Sequence, residues 1–208
     1  MARKKNAKVD ISLPTFEIVF ENGFILSGEL YPGLAPNTVG NFVSLANSGF
    51  YDGAAITMIA PCDIVLIDHP EKELPYCIKA ECELNGCTYN VGHVGAGSLC
   101  FFHGTKYDSG KSGFFIMLNT DNRTVRMVEG AYALFGQLLK GLSLAEAFAN
   151  TGRDEKGRPF FDHRIETIRV ETYGREFPFE TCPEPENTTG IVEKHYQDCS
   201  ALSKETEI

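Results

Sequence analysis

The sequence contains no run of 18 consecutive apolar residues, so no helical membrane span is predicted. Its seven cysteines (Cys62, Cys77, Cys82, Cys87, Cys100, Cys182, Cys199) include no C-x-x-C pair and are odd in number. The basic start, MARKKNAKVDISLP, lacks the apolar core of an export signal. Together these absences predict a reduced, cytoplasmic protein. Positive charge is in short supply: 19 Lys and Arg stand against 28 Asp and Glu, for a net charge of −9. Such a chain is repelled by phosphate, so no nucleic-acid partner is expected. The cluster Arg3, Lys4, Lys5 and Lys8 reads as a solvated arm over 1–13. Neither metal nor cofactor is expected. Cys77, Cys82 and Cys87 fall five apart, near His69, His93 and His103. Structural zinc ordinarily uses ligand pairs about two to four residues apart. The loop Gly104–Ser112 approaches a phosphate-loop pattern but has one residue too many between its glycines and no helix to follow.

What is present is strand-forming. Hydrophobic residues make up 43% of the chain, enough for an ordinary core. Thr15–Phe20 and Phe24–Tyr31 are rich in β-branched and aromatic residues, and Asn22-Gly23 between them is a hairpin signal. Pro32-Gly33 and Pro36 mark a turn, after which Val39, Phe42, Val43 and Ala46 recur at helical spacing. Asn37 or Thr38 is expected to cap this helix, and Gly49 to close it in a left-handed conformation. Ala54–Ala60, Ile64–Ile67, Gly97–Phe102, Phe114–Leu118, Tyr132–Leu139 and Ile165–Thr172 read as strands, with Tyr76–Cys82 a candidate edge strand. Ser143 and Glu146 form a capping-box pattern ahead of a second helix whose buried face is Leu144, Ala147 and Phe148. About eight strands and two short helices predict a mainly β protein, a closed antiparallel barrel capped by the helices. The domain is expected over 14–172. Residues 173–208 hold eight acids and three bases and read as an acidic extension, largely disordered or lying on the barrel surface.

The stretch Glu29–Gly53, of pattern E-L-Y-P-x-x-A-P-N-T-V-x-N-F-x-x-L-x-x-x-G-F-Y-D-G, resembles the cyclophilin family of peptidyl-prolyl cis-trans isomerases in its bacterial form. Further anchors are Gly97-x-Leu99, Ser112-x-Phe114-Phe115-Ile116-Met117, Phe135-Gly136 and the closing R-I-E-T-I-R-V-E-T-Y-G. The match runs from about Phe24 to Pro178. It implies an eight-stranded barrel closed by two helices, and a groove that binds proline-containing polypeptide.

Isomerisation requires rotation about a partial double bond with a barrier of about 18–20 kcal/mol. A donor aimed at the prolyl nitrogen opposes amide resonance and favours the twisted state. The resemblance implies an arginine for this role, shortly after the turn Y-x-G. Here Tyr51-x-Gly53 is followed by Ala54-Ala55-Ile56-Thr57-Met58, and Met58, which carries no donor, stands at the arginine position. By the same correspondence Asp63, Ile64 and Leu66 replace an aromatic, a methionine and a glutamine. Cys100, Phe101 and Phe102 replace Ser, Met and Ala, and Gly113 replaces a second glutamine. Phe115, the floor of the proline pocket, is kept, and Val128 and Tyr132 keep the shape of a further pocket segment. The resemblance therefore implies an isomerase homologue with a degenerate site, its activity weak or absent.

Two alternatives stay open at this point. An arginine from elsewhere, Arg123 or Arg126, could restore full activity. A noncatalytic module could instead bind proline-containing or hydrophobic segments on an apolar surface of Ile56, Met58, Leu66, Phe102 and Phe115, unless Ile56 and Leu66 turn inward to pack the barrel. A third arrangement, Cys100, His103 and Asp108, holds a nucleophile, a base and a carboxylate within nine positions. No motif fixes an oligomeric state.

Overall fold

The computed structural model describes residues 12–60 and 64–186. The expected arm over 1–13 and the last part of the acidic extension fall mostly outside these residues, as do Pro61, Cys62, Asp63 and Cys199. Eight antiparallel strands form one sheet: β1 (Thr15–Phe20), β2 (Ile25–Leu30), β3 (Ala55–Ala60), β4 (Ile64–Asp68), β5 (Ser98–Phe101), β6 (Phe114–Met117), β7 (Ala133–Lys140) and β8 (Ile165–Glu171), in the order β3-β4-β6-β5-β7-β2-β1-β8. Three helices accompany them among the described residues: α1 (Pro36–Asn47), α2 (Asn122–Val128) and α3 (Leu142–Ala149). None is long and apolar enough to cross a membrane.

The sheet is a curled half-barrel, which corrects the closed barrel expected from sequence. Its end strands, β3 and β8, share no ladder. They meet at the bridge Ala55–Arg164 and through single backbone bonds such as Ile165 N–H to Ala54 O at 2.7 Å. The hairpin at Asn22-Gly23 forms as expected, with Gly23 at φ +82°. Residues 76–82 form no strand. Cys77 and Ile78 make only isolated bridges, to Cys182 and Gly110.

Side chains alternate across the sheet, so β3 to β7 feed two apolar layers while β1, β2 and β8 turn one face to the core. One layer is the main core. It collects Phe16 and Ile18 of β1, Val65 and Ile67 of β4, Phe114 and Ile116 of β6, Phe135 of β7 and Ile168 of β8, with Val39, Phe42 and Leu45 of α1. Phe42 is the hub: its ring lies 5.3–6.3 Å from those of Phe16, Tyr51, Phe114 and Phe135. Each such pair adds about 0.5–1.5 kcal/mol beyond its area burial. The second layer lies on the opposite face of β3, β4, β6, β5 and β7 and carries the candidate site.

The helix ends depart from expectation. Ala35 is the N-cap of α1, Pro36 occupies the first turn, and no side chain of the helix caps it. The Glu81 carboxylate does so instead, accepting from the N–H groups of Asn37 (3.0 Å) and Thr38 (2.7 Å). Gly49, at φ +72°, ends the helix as expected. The second expected helix, now α3, starts at Leu142 behind Gly141, and the Ser143–Glu146 box does not form. Its buried residues are Ala145 and Phe148, while Ala147 is exposed. Beyond β8 the chain runs along α1, where Phe177 and Phe179 pack on the core. Gly40 makes this approach possible: a Cβ there would lie 2.7 Å from the Phe177 carbonyl oxygen and 2.9 Å from that of Pro178.

Candidate functional site

The strand registers place the predicted site residues in rows across the second layer. Met58 pairs with Leu66, Leu66 with Phe115, Phe115 with Cys100, and Cys100 with Leu134. One row thus crosses β3, β4, β6, β5 and β7. A second row is Ala60, Ile64 and Met117. At the rim above the first row, the backbone N–H of Phe102 donates to the carbonyl of Gly113 at 2.9 Å. A Cβ on Gly113 would lie 3.2 Å from Asp68 Oδ2 and 3.4 Å from Phe102 Cδ1. Phe102 and the Asp68 carboxylate thus crowd Gly113 and leave little room for a side chain there.

Met58, Ile64, Leu66, Phe115, Val128 and Tyr132 belong to one apolar cluster, with Phe102 packed against it. The Tyr132 ring stands edge-on to Phe115 at 5.0 Å and stacks on His103 at 4.5 Å. A register shift between Ile56 and Met58 inserts Thr57 into β3, and Ile56 enters the main core. The surface expected from Ile56, Met58, Leu66, Phe102 and Phe115 therefore loses Ile56 and keeps Leu66. It is also not an open patch: Met58 and Leu66 are 2% exposed and Phe115 1%.

Ala60, Val94, Met117 and Leu134 complete the cluster without having been expected in it, together with Cys100, which the resemblance placed at a groove position. For Cys100, Met117 and Leu134, the signal available was strand alternation beside Phe115. Val94 comes from an irregular segment and is held by its N–H bond to Glu129 at 3.0 Å. Its place could not be read from periodicity. Of the two candidate substitute arginines, Arg126 is exposed on α2, and the side chain of Arg123 lies outside the described residues.

The arrangement Cys100, His103 and Asp108 does not assemble. Cys100 is fully buried, and burial pushes its thiol far above the usual range. The ring nitrogens of His103 face the carbonyls of Gly104 (2.7 Å) and Ala131 (2.8 Å), and Asp108 accepts from Asn85. Among the described residues no group of three His, Cys, Asp or Glu is placed to hold a metal ion.

Asp68 is the titratable group at the rim. Burial raises its carboxyl above the ordinary value, against the lowering effect of bonds from Ser112 Oγ (2.7 Å) and the His69 N–H (2.8 Å). A raised folded value means that the native state binds the proton more tightly than the unfolded chain does. Stability from this site is therefore withdrawn as pH rises from about 4 through the folded value. Asp68→Asn cannot ionise, so its melting temperature should gain on that of the parent across the same window. Thermal melts of both proteins from about pH 4 to 7.5 test this. A difference that stays flat, or moves against the variant as pH rises, rejects it.

A mainly β half-barrel with a site row of this kind defines a fold class that the comparisons identify. The model of the family described as cyclophilin type peptidyl-prolyl cis-trans isomerase/CLD matches residues 16–170. The chain belongs to that family. It is 34% identical over 142 residues to peptidyl-prolyl cis-trans isomerase B of Bacillus subtilis, covering 66% of this chain and 92% of the relative. It is 28% identical over 147 residues to a peptidyl-prolyl cis-trans isomerase of Schizosaccharomyces pombe, covering 68% and 86%. Among solved structures, a cyclophilin type peptidyl-prolyl cis-trans isomerase of Cryptosporidium parvum superposes with a TM-score of 0.65 at 20% identity, over 77% of this chain and 99% of that one. The same protein was also solved in the presence of the dipeptide Ala-Pro, and that structure superposes with a TM-score of 0.64.

Proposed function

We propose that this protein is a cyclophilin-type isomerase homologue that binds proline-containing or hydrophobic polypeptide segments, and that its prolyl isomerase activity is weak or absent. The observation that carries the reading is the row Met58–Leu66–Phe115. The side chain at the expected arginine position is a thioether, it pairs with a leucine, and it is 2% exposed beside the phenylalanine expected to receive proline. A thioether cannot donate to a prolyl nitrogen. The apolar floor expected to hold a proline is kept while the group expected to lower the barrier is gone. Burial adds to this, because a prolyl ring reaches Phe115 only when the rim around Phe102 and Tyr132 yields.

Loss of one preorganised donor costs about 10²–10³ in rate where this has been measured at oxyanion holes. A protease-coupled isomerisation assay on X-Pro tetrapeptides, run beside the Bacillus relative, is the test. The expected rate is at least about 10² below that of the relative. A rate within a few-fold of the relative overturns the proposal and returns the catalytic role to a substitute such as Arg126 or Arg123.

A further inference from the structure

The C-terminal extension meets the body of the protein at two cysteines that face each other. Cys77 and Cys182 form an isolated antiparallel bridge, with Cys77 N–H to Cys182 O at 2.9 Å and Cys182 N–H to Cys77 O at 2.7 Å. Both are free thiols. Residues exchanging both backbone bonds in this way have Cα atoms about 5.5 Å apart and side chains on the same face. That separation falls within the range of about 4.4–6.8 Å that a disulfide spans. We infer that Cys77 and Cys182 form a reversible disulfide that fastens the extension to the flank of the half-barrel.

The two thiols differ in access, and the difference sets the order of events. Cys77 is fully buried, whereas Cys182 is partly exposed, its Sγ resting 3.7 Å from the Asp108 carbonyl oxygen. The thiolate of Cys182 attacks one sulfur of a small-molecule disulfide such as glutathione disulfide. That S–S bond breaks, one glutathione thiolate leaves, and a mixed disulfide remains on Cys182. Deprotonated Cys77 then attacks Sγ of Cys182 and expels the second glutathione. Two protein thiols are oxidised and one glutathione disulfide is reduced to two thiols, with no other reactant. Burial raises both thiols above their ordinary value, so the exchange accelerates as pH rises.

The bond has a structural consequence. Pro178, Phe179, Glu180, Thr181 and Cys182 form one wall of a cavity of about 450 Å³, and Pro36, Lys79 and Glu81 line it from the body side. In the reduced protein this wall is held by the Cys77–Cys182 bridge, by Phe177 and Phe179 packing, and by bonds between Asn37 and Glu180. In the oxidised protein the wall stays closed after these contacts open.

The full chain, equilibrated in glutathione redox buffers, alkylated and digested with trypsin, gives a direct readout. Cys77 and Cys182 fall in peptides 73–79 and 176–194, each with a single cysteine. The expected product is these two peptides cross-linked, absent from Cys182→Ser. Glutamyl-specific proteolysis within 173–186 should then slow by about tenfold or more in the oxidised parent relative to the reduced one, with no such slowing in Cys182→Ser. The proposal is overturned if Cys182 remains alkylated at every buffer poise, if it links to Cys62, Cys87 or Cys199 instead, or if the cross-link forms and the extension is cut at an unchanged rate.

Discussion

Met58→Arg is expected to lower the unfolding free energy by about 3–5 kcal/mol and to leave prolyl isomerisation at the level of the parent. The stability cost follows from the row. Met58 lies on the end strand β3, paired with Leu66 of β4, with Phe115 of β6 next along the row, and it is 2% exposed. A guanidinium placed there loses its hydration and meets no carboxylate within the row. Asp68, the acid at the rim, is already engaged by Ser112 and the His69 backbone. Activity does not return because a donor alone is insufficient: the peptide must also be held, and Leu66 and Gly113 stand where the resemblance places two glutamines. Met58→Leu separates packing from charge. It conserves volume and should cost less than about 1.5 kcal/mol. Chemical denaturation together with the tetrapeptide assay reads both effects. Recovery of isomerase activity by Met58→Arg alone would mean that the pocket is intact and lacks only its donor, and the remodelled-groove account would fail.

This expectation uses register, which the sequence did not supply. Strand positions were legible because β1 to β8 are short apolar runs between turn residues, but the face taken by Leu66 stayed open until register set it opposite Phe115. The face of Ile56 also stayed open, and its inward turn follows from Thr57, an extra residue in β3 that shifts the face of everything before it. The helix α2 was missed although it carries a start signal: Asp121 accepts from the N–H of Thr124 at 3.1 Å and from its hydroxyl at 2.6 Å. The segment between β4 and β5 could not be read, since it is irregular and its order comes from long-range contacts. Closure of the barrel was inferred from strand count, and count does not determine whether the two end strands pair.

The capping of α1 comes from a residue 43–44 positions away, beyond the reach of a local pattern, and its loss should be costly. Glu81→Ala is expected to destabilise the protein by about 3 kcal/mol, and Glu81→Gln by nearly as much. The carboxylate is 6% exposed and accepts four donors: Oε1 takes the Asn37 N–H at 3.0 Å and the Tyr89 hydroxyl at 3.1 Å, and Oε2 takes the Thr38 N–H at 2.7 Å and the Thr38 hydroxyl at 2.8 Å. A carboxylate offers acceptors on both oxygens, and its charge complements the helix N-terminus. A carboxamide replaces one oxygen with an NH₂ group, which would point its hydrogens at two donors. Alanine leaves all four donors without this acceptor, and for the buried N–H and hydroxyl of Thr38 each unmade bond carries a desolvation cost. Mere space-filling by Glu81 predicts a different result, with glutamine tolerated and alanine alone harmful. Urea denaturation ranks the variants, and hydrogen exchange at Asn37, Thr38 and Val39 should accelerate in both. A glutamine variant within about 0.5 kcal/mol of the parent would show that volume matters at this position and the carboxylate does not.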